Sequence, residues 1–517
     1  MEEILESVGS NDKYQRIIIA IVLGCSPLAT IYTLQISYLT KYPDFLVRRI
    51  NSKQNFTIQE YNSSICDSSI YEIKKYPNTS IDNWAYNFDL YCNRNFYSLL
   101  ITSAIFIGGI TSAVIISPFP DKVGRLKIYK SFFIGVFICH LNFLFSIGPI
   151  HIILINLVGG FISFIYSLSF VIITEYLTQS IIGKVFGLFS AIYPIFGILM
   201  GFYFLTINNY KLLFLFTTLL SGVILYLILK YMTESPLWLA LNGEKEEFIK
   251  VLDKIAMINN KETNWENFKK YNMEKINEVC LKKEITKIKE KTIFDILTLK
   301  SQRKNLIIHA YLWLASSINF FGIILNLKTM KGGFFANSIS AFIGEAISEL
   351  FAGIFSDKLG RLPCMKYPAF IGSISFIIYL YVPDNFKFIF VFGAMLGNAS
   401  MFAIISIYTP EVFPTPIRGL ICGYTNIFAR IGPLLLPYLT EILGDGVNWI
   451  FIIGGFGCGI VCFFIEETLG KELPNIIPED EELKDNFLSG DENVMESYKK
   501  INHSYHVKSM KSGRFKI

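Results

Sequence analysis

Charge is scarce in this sequence. Asp, Glu, Lys and Arg together supply 17% of its 517 residues, while 52% are hydrophobic and 15% aromatic. Such a chain cannot clothe itself in polar groups as a soluble globule does, and a mean hydropathy of +0.44 points to the bilayer. Histidine is scarcer still, with five residues; His140, His151 and His309 stand far apart, so neither a metal site nor a nucleophile constellation is expected. That excludes an intramembrane enzyme, and no cofactor is implied. An ATP-driven pump needs a phosphate-cradling loop, yet Gly183-Lys184 and Gly470-Lys471 lack both the upstream Gly and the following Ser or Thr. Nucleic acid is excluded as a partner because no basic patch is interleaved with exposed aromatics, despite a net charge of +5.

Apolar length is what the chain has. A helix needs about 20 mostly apolar residues to cross about 30 Å of hydrocarbon. Twelve stretches qualify, near 17–39, 97–118, 128–147, 150–173, 183–206, 211–231, 305–328, 333–355, 365–382, 386–408, 418–442 and 447–465. The first follows the charged "MEEILESVGSNDKYQR", lacks a small-residue cleavage site and reads as a true span. The expected fold is an all-α membrane protein of twelve transmembrane helices in two six-helix halves. Its parts are an N-terminal segment 1–16, a half 17–231 with a hydrophilic loop 41–96, a central loop 232–303, a second half 304–465 and a tail 466–517.

Lysine and arginine set the orientation. Lys122, Arg125, Lys127 and Lys130 fill the loop after the second span, and Lys358, Arg361 and Lys366 the loop after the eighth; loops near 148–151 and 443–447 hold none. Both termini are therefore expected in the cytosol. Loop 41–96 then lies outside, where the sequons at Asn55, Asn62 and Asn78 are open to glycosylation and Cys66 and Cys92 to disulfide formation. Cys25, Cys139, Cys422, Cys458 and Cys462 lie in spans and read as packing residues. Mixed charge in the central loop suggests short amphipathic helices, and the polar tail suggests disorder.

One cluster occurs twice. "PFPDKVGRLKIYK" at Pro118 and "IFSDKLGRLPCMK" at Ile354 repeat one another, and the step along the chain from Asp121 to Asp357 equals the step from Glu175 to Glu411. Topology alone explains repeated Lys and Arg but not a repeated Asp-Lys-x-Gly-Arg order. The alternative is a pair of charged latches, with Gly124 and Gly360 permitting tight turns and Arg125 and Arg361 beside the carboxylates. Internal repeats of this kind build transporters whose halves rock about a site between them.

"SDKLGRL" and "PDKVGRL" resemble the loop signature of the major facilitator superfamily, the first copy with Ser117 where Gly is usual. "LESVGSNDKYQ" at Leu5, "NFDLYC" at Asn87, "TESPLWLALNG" at Thr233, "YTPEVFPTPIRG" at Tyr408 and "EETLGKELP" at Glu466 resemble its organic cation/anion transporter branch. The resemblance implies alternating-access transport of small organic ions across the plasma membrane. A sugar-porter-like facilitator is the nearest alternative, and a non-transporting receptor on the same scaffold is another. It also implies a gating role for Glu175, Glu411 and Arg418 alongside the repeated clusters.

Ionisable groups deep in a span are costly and mark function. Arg430 sits in the eleventh span, where Gly419, Gly423, Asn426, Arg430, Pro433 and Pro437 recur at steps of three or four and form one polar or small face. Glu345 and Glu349 share a face of the eighth. Two readings stand: Arg430 and Glu345 bind substrate, or Glu345 or Glu349 neutralises Arg430 as an interhelical pair. Cation-selective relatives keep a Glu at the position of Glu345 and an Asp at that of Arg430, where anion- and carnitine-handling relatives carry Arg. The resemblance thus implies an organic anion or zwitterion, with a cation as the lesser alternative. Trp313, Phe320 and Phe321 resemble the branch's ligand-stacking wall, with Asn426 beside them.

Overall fold

The computed structural model describes residues 2–281 and 300–471, apart from 10, 51–55, 60–62, 78 and 118, together with Pro474. Asn55, Asn62 and Asn78 lie outside the described residues, as does nearly all of the tail.

Among the described residues, eleven stretches are long and apolar enough to cross a membrane. The last of them, Leu420–Val461, holds two helices, so the spanning helices among these residues number twelve. Span 1 is Lys13–Leu34 with Ile36–Leu39; spans 2 to 6 are Asn95–Ile115, Arg125–Leu144, Pro149–Tyr176, Gln179–Thr206 and Tyr210–Tyr231. Spans 7 to 10 are Lys300–Asn326, Phe334–Leu359, Arg361–Tyr381 and Lys387–Val412. Spans 11 and 12, Thr415–Leu443 and Val447–Val461, meet at the single turn Gly444–Gly446. Outward-facing residues such as Leu154, Leu219 and Ile453 stay exposed and apolar, as lipid contact requires.

The halves repeat in packing as well as in sequence. A Cβ on Gly108 of span 2 would strike the backbone of span 4 at Phe161 N, 2.6 Å away, and one on Gly344 of span 8 would meet span 10 at Phe392 O, 2.7 Å away. Gly108 and Gly344 are related by the same offset that relates Asp121 to Asp357. Only glycine lets these helix backbones approach so closely.

Loop 41–96 is not helical throughout. Phe45–Arg49 (β1), Thr57–Gln59 (β2) and Tyr71–Lys75 (β3) form an antiparallel sheet in the order β2-β1-β3. Cys66 and Cys92 are joined as a disulfide, with Cα atoms 5.4 Å apart. The Cys66 end leads into β3 and the Cys92 end into span 2, which ties the sheet to one side of the membrane, the sheet face. The repeated charged clusters define the opposite, basic face. There the central loop folds into helices at Pro236–Leu241, Lys245–Ile258, Glu262–Tyr271 and Met273–Leu281. Asn259 fastens the N-terminal segment to them, accepting from Tyr14 N at 2.7 Å and donating to Val8 O at 2.8 Å.

Candidate functional site

On the basic face each cluster builds the same polar knot. Arg125 pairs with Asp121 and, at 2.9 Å, with Glu175; Arg361 pairs with Asp357 at 2.6 Å and with Glu411 at 2.9 Å. Each Arg thus joins its own turn to the last turn of the fourth span of its half. Arg418 makes no ion pair among the described residues; its Nε donates to Phe413 O at 3.2 Å. Among the described residues, every hydrogen bond and ion pair of the two knots stays within one half.

A second carboxylate completes each knot, and the sequence reading missed both. Glu234, after span 6, accepts from Leu126 N at 3.0 Å, while Glu467, after span 12, accepts from Arg361 N at 2.8 Å and Leu362 N at 2.9 Å. They satisfy the free N–H groups that begin spans 3 and 9. Gly124 and Gly360 are required twice over: their φ values are +116° and +101°, and a Cβ on either would fall 2.6 Å from Oε2 of Glu234 or Glu467. The two glutamates are spaced slightly closer than the repeat offset, which therefore passes over them; their places in "TESPLWL" and "EETLG" were the available signal. Burial raises the Glu234 carboxyl above its ordinary range, and the Glu175 charge adds to this against the backbone donors. Partial burial pushes Glu467 up too, but four backbone N–H groups outweigh it and hold that carboxyl low.

The halves meet toward the sheet face. Gly197 and Gly201 of span 5 lie against Phe342 and Ile339 of span 8. Ser103 of span 2 donates to Leu434 O of span 11 at 3.4 Å, and the Tyr38 ring lies edge-on to Phe334 at 5.0 Å.

Arg430 and Glu345 both lie at this seam, and they do not pair. Among the described residues neither forms an ion pair; Arg430 Nε and Glu345 Oε2 are buried without a hydrogen-bond partner. Glu345 is 1% exposed, and its electrostatic neighbours across the seam are Tyr166 and Tyr193. The Arg430 guanidinium lies against Gly109 of span 2, where a Cβ would sit 2.9 Å from its Cζ. Asn426 is partly buried one turn away. Neutralisation of Arg430 by Glu345 or Glu349 therefore fails on geometry: among the described residues Arg430 forms no ion pair with either, and an unpaired guanidinium and an unpaired carboxyl lie at the boundary between halves.

The aromatic wall is assembled by span 10. Phe402 stacks on Phe320 at 4.9 Å and 5°, and meets Trp313 and Phe321 edge-on at 5.6 and 5.9 Å. Trp313 Nε1 donates to Thr409 Oγ1 at 2.8 Å, and Phe321 reaches across the seam to Phe106 at 5.5 Å. Phe402 was not singled out in the sequence, although it is the repeat counterpart of Tyr166 in the first half. No group of three or more potential metal ligands occurs among the described residues.

Residues 27–478 match the family model described as sugar (and other) transporter. The chain is 25% identical over 441 residues to an organic cation transporter protein of Drosophila melanogaster, covering 80% of this chain and 76% of that protein. It is likewise 25% identical over 428 residues to organic cation/carnitine transporter 2 of Mus musculus, covering 80% and 74%. Among solved structures it resembles the inward-open xylose transporter XylE of E. coli, with a TM-score of 0.63, 14% identity and coverage of 89% and 97%. It also resembles the human organic anion transporter MFSD10, with a TM-score of 0.53, 12% identity and coverage of 87% and 99%. At such identities the structural likeness speaks for the fold alone.

Proposed function

The chain belongs to the sugar (and other) transporter family, and from that premise we propose that it carries small organic anions or zwitterions across the plasma membrane by alternating access. The unpaired guanidinium of Arg430 carries this reading. A permanently charged, bidentate donor without a carboxylate partner is suited to an anionic group of the cargo. Glu345, equally unpaired, suits a cationic group on the same molecule, as a zwitterion such as carnitine would supply. Trp313, Phe320, Phe321 and Phe402 offer an apolar wall for the rest. A neutral sugar would leave the Arg430 charge uncompensated, which disfavours the sugar-porter reading.

The relatives named for organic cation and carnitine transport support a small organic ion as cargo; the preference for an anionic or zwitterionic one rests on Arg430. With the basic face in the cytosol, the sheet and its disulfide lie outside, the compartment that permits such a bond. The knots of Asp121, Arg125 and Glu175 and of Asp357, Arg361 and Glu411 then act at the cytosolic ends, where the halves part and close. Flux of labelled carnitine, a dicarboxylate, an aromatic anion and a quaternary amine into proteoliposomes tests the proposal. Saturable uptake of at least one carboxylate supports it. Uptake of the amine alone contradicts it, and binding without flux identifies a receptor.

A further inference from the structure

Lys328 lies just beyond the end of span 7, on the sheet face and in the C-terminal half. Its ammonium reaches across the seam, donating to Ser98 Oγ at 3.2 Å and Thr40 Oγ1 at 3.3 Å, and stands 5.2 Å from the centre of the Tyr42 ring. All three partners belong to the N-terminal half, and none carries a negative charge. Other cations of this face do have carboxylates: Lys41 lies 3.9 Å from Asp44, Lys331 3.1 Å from Asp445 and Lys387 2.9 Å from Asp384. Lys328 has no such ion pair among the described residues, and Glu441 of span 11 acts on it only at a distance.

Around it the seam closes mainly through neutral contacts, with the Lys41 ammonium, itself paired with Asp44, 5.5 Å from the centre of the Phe334 ring. Ser37 donates to Ile324 O, and Tyr38 packs on Phe334. Joining the halves therefore strips part of the water from one ammonium, whose side chain stays partly exposed, and returns only two long hydrogen bonds to hydroxyls and the face of a ring. Parting them restores its hydration. An ammonium so placed works against the closure that surrounds it.

We propose that Lys328 sets the balance of the sheet-face gate: protonated, it favours parted halves, and when its proton passes to solvent the neutral amine favours joined halves. The inference rests on the alternating-access reading of the fold. It concerns a conformational equilibrium, so its failure leaves the substrate proposal standing.

Burial lowers the Lys328 ammonium to about 8 in the joined state, the Glu441 charge opposing this, whereas a hydrated lysine sits at about 10.4. The joined form thus binds the proton less tightly, and rising pH favours it. Between pH 7 and pH 9 the ratio of joined to parted molecules should rise about tenfold through this group. Among the described residues, the charges of this face are Glu441 and the Lys41–Asp44, Lys331–Asp445 and Lys387–Asp384 pairs, and the Tyr42 phenol lies against Lys328. All remain in variants at position 328 and drop out of the comparison.

The test uses the full chain in lipid nanodiscs, with spin labels on Thr206→Cys and Ile442→Cys, exposed sites at the sheet-face ends of spans 5 and 11. Electron-spin distance distributions then report the joined and parted populations. Relative to the same labelled background, Lys328→Met should enrich the short-distance population at pH 7, and its distribution should not share the tenfold response to pH. Lys328→Arg, which keeps its charge, should hold the parted population up to pH 9. If Lys328→Met depletes the short-distance population or leaves it unchanged, the ammonium does not oppose closure. If the Arg variant follows the parent from pH 7 to pH 9, the titrating group lies elsewhere. Either result overturns the proposal.

Discussion

Gly109 of span 2 lies directly against the guanidinium of Arg430 on span 11, so a glycine of one half makes room for the unpaired cation of the other. The repeat gives the contact a further meaning. Gly109 is the counterpart of Glu345 under the offset that relates the two charged clusters, so equivalent positions of the two halves hold a space for the cation in one and the seam's acid in the other.

The contact predicts a strong effect from a small change. Gly109→Val should displace the guanidinium and cut carboxylate uptake at least tenfold, because a charged donor moved by about an ångström loses its alignment. Gly109→Ala should show a smaller loss. Surface expression measured beside uptake separates displacement from misfolding; full uptake by the Val variant would show that Arg430 need not keep its place.

The two capping glutamates should respond to pH in opposite senses. Glu467 is held low, so the stability it adds is present at neutral pH and is lost as acid protonates it. Glu467→Gln should lower thermal stability by the equivalent of about 0.5–2 kcal/mol near pH 7, as lost helix caps do, with the difference vanishing in acid. Glu234 is raised, so its contribution is present in acid and lost as pH rises through the raised value. Glu234→Gln should therefore compare better with the parent as pH rises. Thermal unfolding of purified variants from pH 4 to 8 checks both signs.

Gly124→Ala and Gly360→Ala should each be poorly tolerated. An L side chain at φ near +100° costs about 1–2 kcal/mol, and the added Cβ would also press on the capping carboxylate. Equal losses in both variants would mark the two knots as equivalent, whereas unchanged uptake and unfolding temperature in both would refute the packing described here.

How far the sequence could be read depends on which physical signal each feature leaves. The twelve spans were legible because hydrocarbon thickness demands long apolar runs, and their bounds moved by only a few residues. The shared offset marked Asp121, Asp357, Glu175 and Glu411 as repeated landmarks, but the pairing of Arg125 with Glu175 and of Arg361 with Glu411 was not foreseen. Strands β1 to β3 were not foreseen: "FLVRR", "TIQ" and "YEIKK" are short and polar, and their pairing is set by chain contacts that no local period reveals. A pairing of Arg430 with Glu345 was a fair alternative from sequence, because sequence reports depth in the membrane but not which helices face one another. Phe402 was hidden for the same reason, lost among 46 phenylalanines until stacking set it apart.

The disulfide predicts the orientation. A bond between Cys66 and Cys92 closes a separation of 26 residues, which restricts the unfolded loop by about 3–4 kcal/mol in the chain-entropy account. Reduction of intact cells should expose two thiols to an impermeant reagent, and glycosidase should speed gel migration through loss of glycans at Asn55, Asn62 and Asn78. Thiols reached only after permeabilisation would turn the topology inside out.

Uptake of a labelled carboxylate by Arg430 variants in proteoliposomes tests carriage at the seam most directly. Because Arg430 has no carboxylate partner among the described residues, its removal should strand no buried counter-charge, so Arg430→Gln should fold and reach the membrane. Its carboxylate uptake should nonetheless fall to background, while Arg430→Lys should keep transport with a half-saturation concentration raised about tenfold, since a point charge replaces a bidentate donor. Carboxylate uptake by Arg430→Gln at the parent rate and half-saturation would contradict a substrate role for Arg430 and with it the proposed cargo.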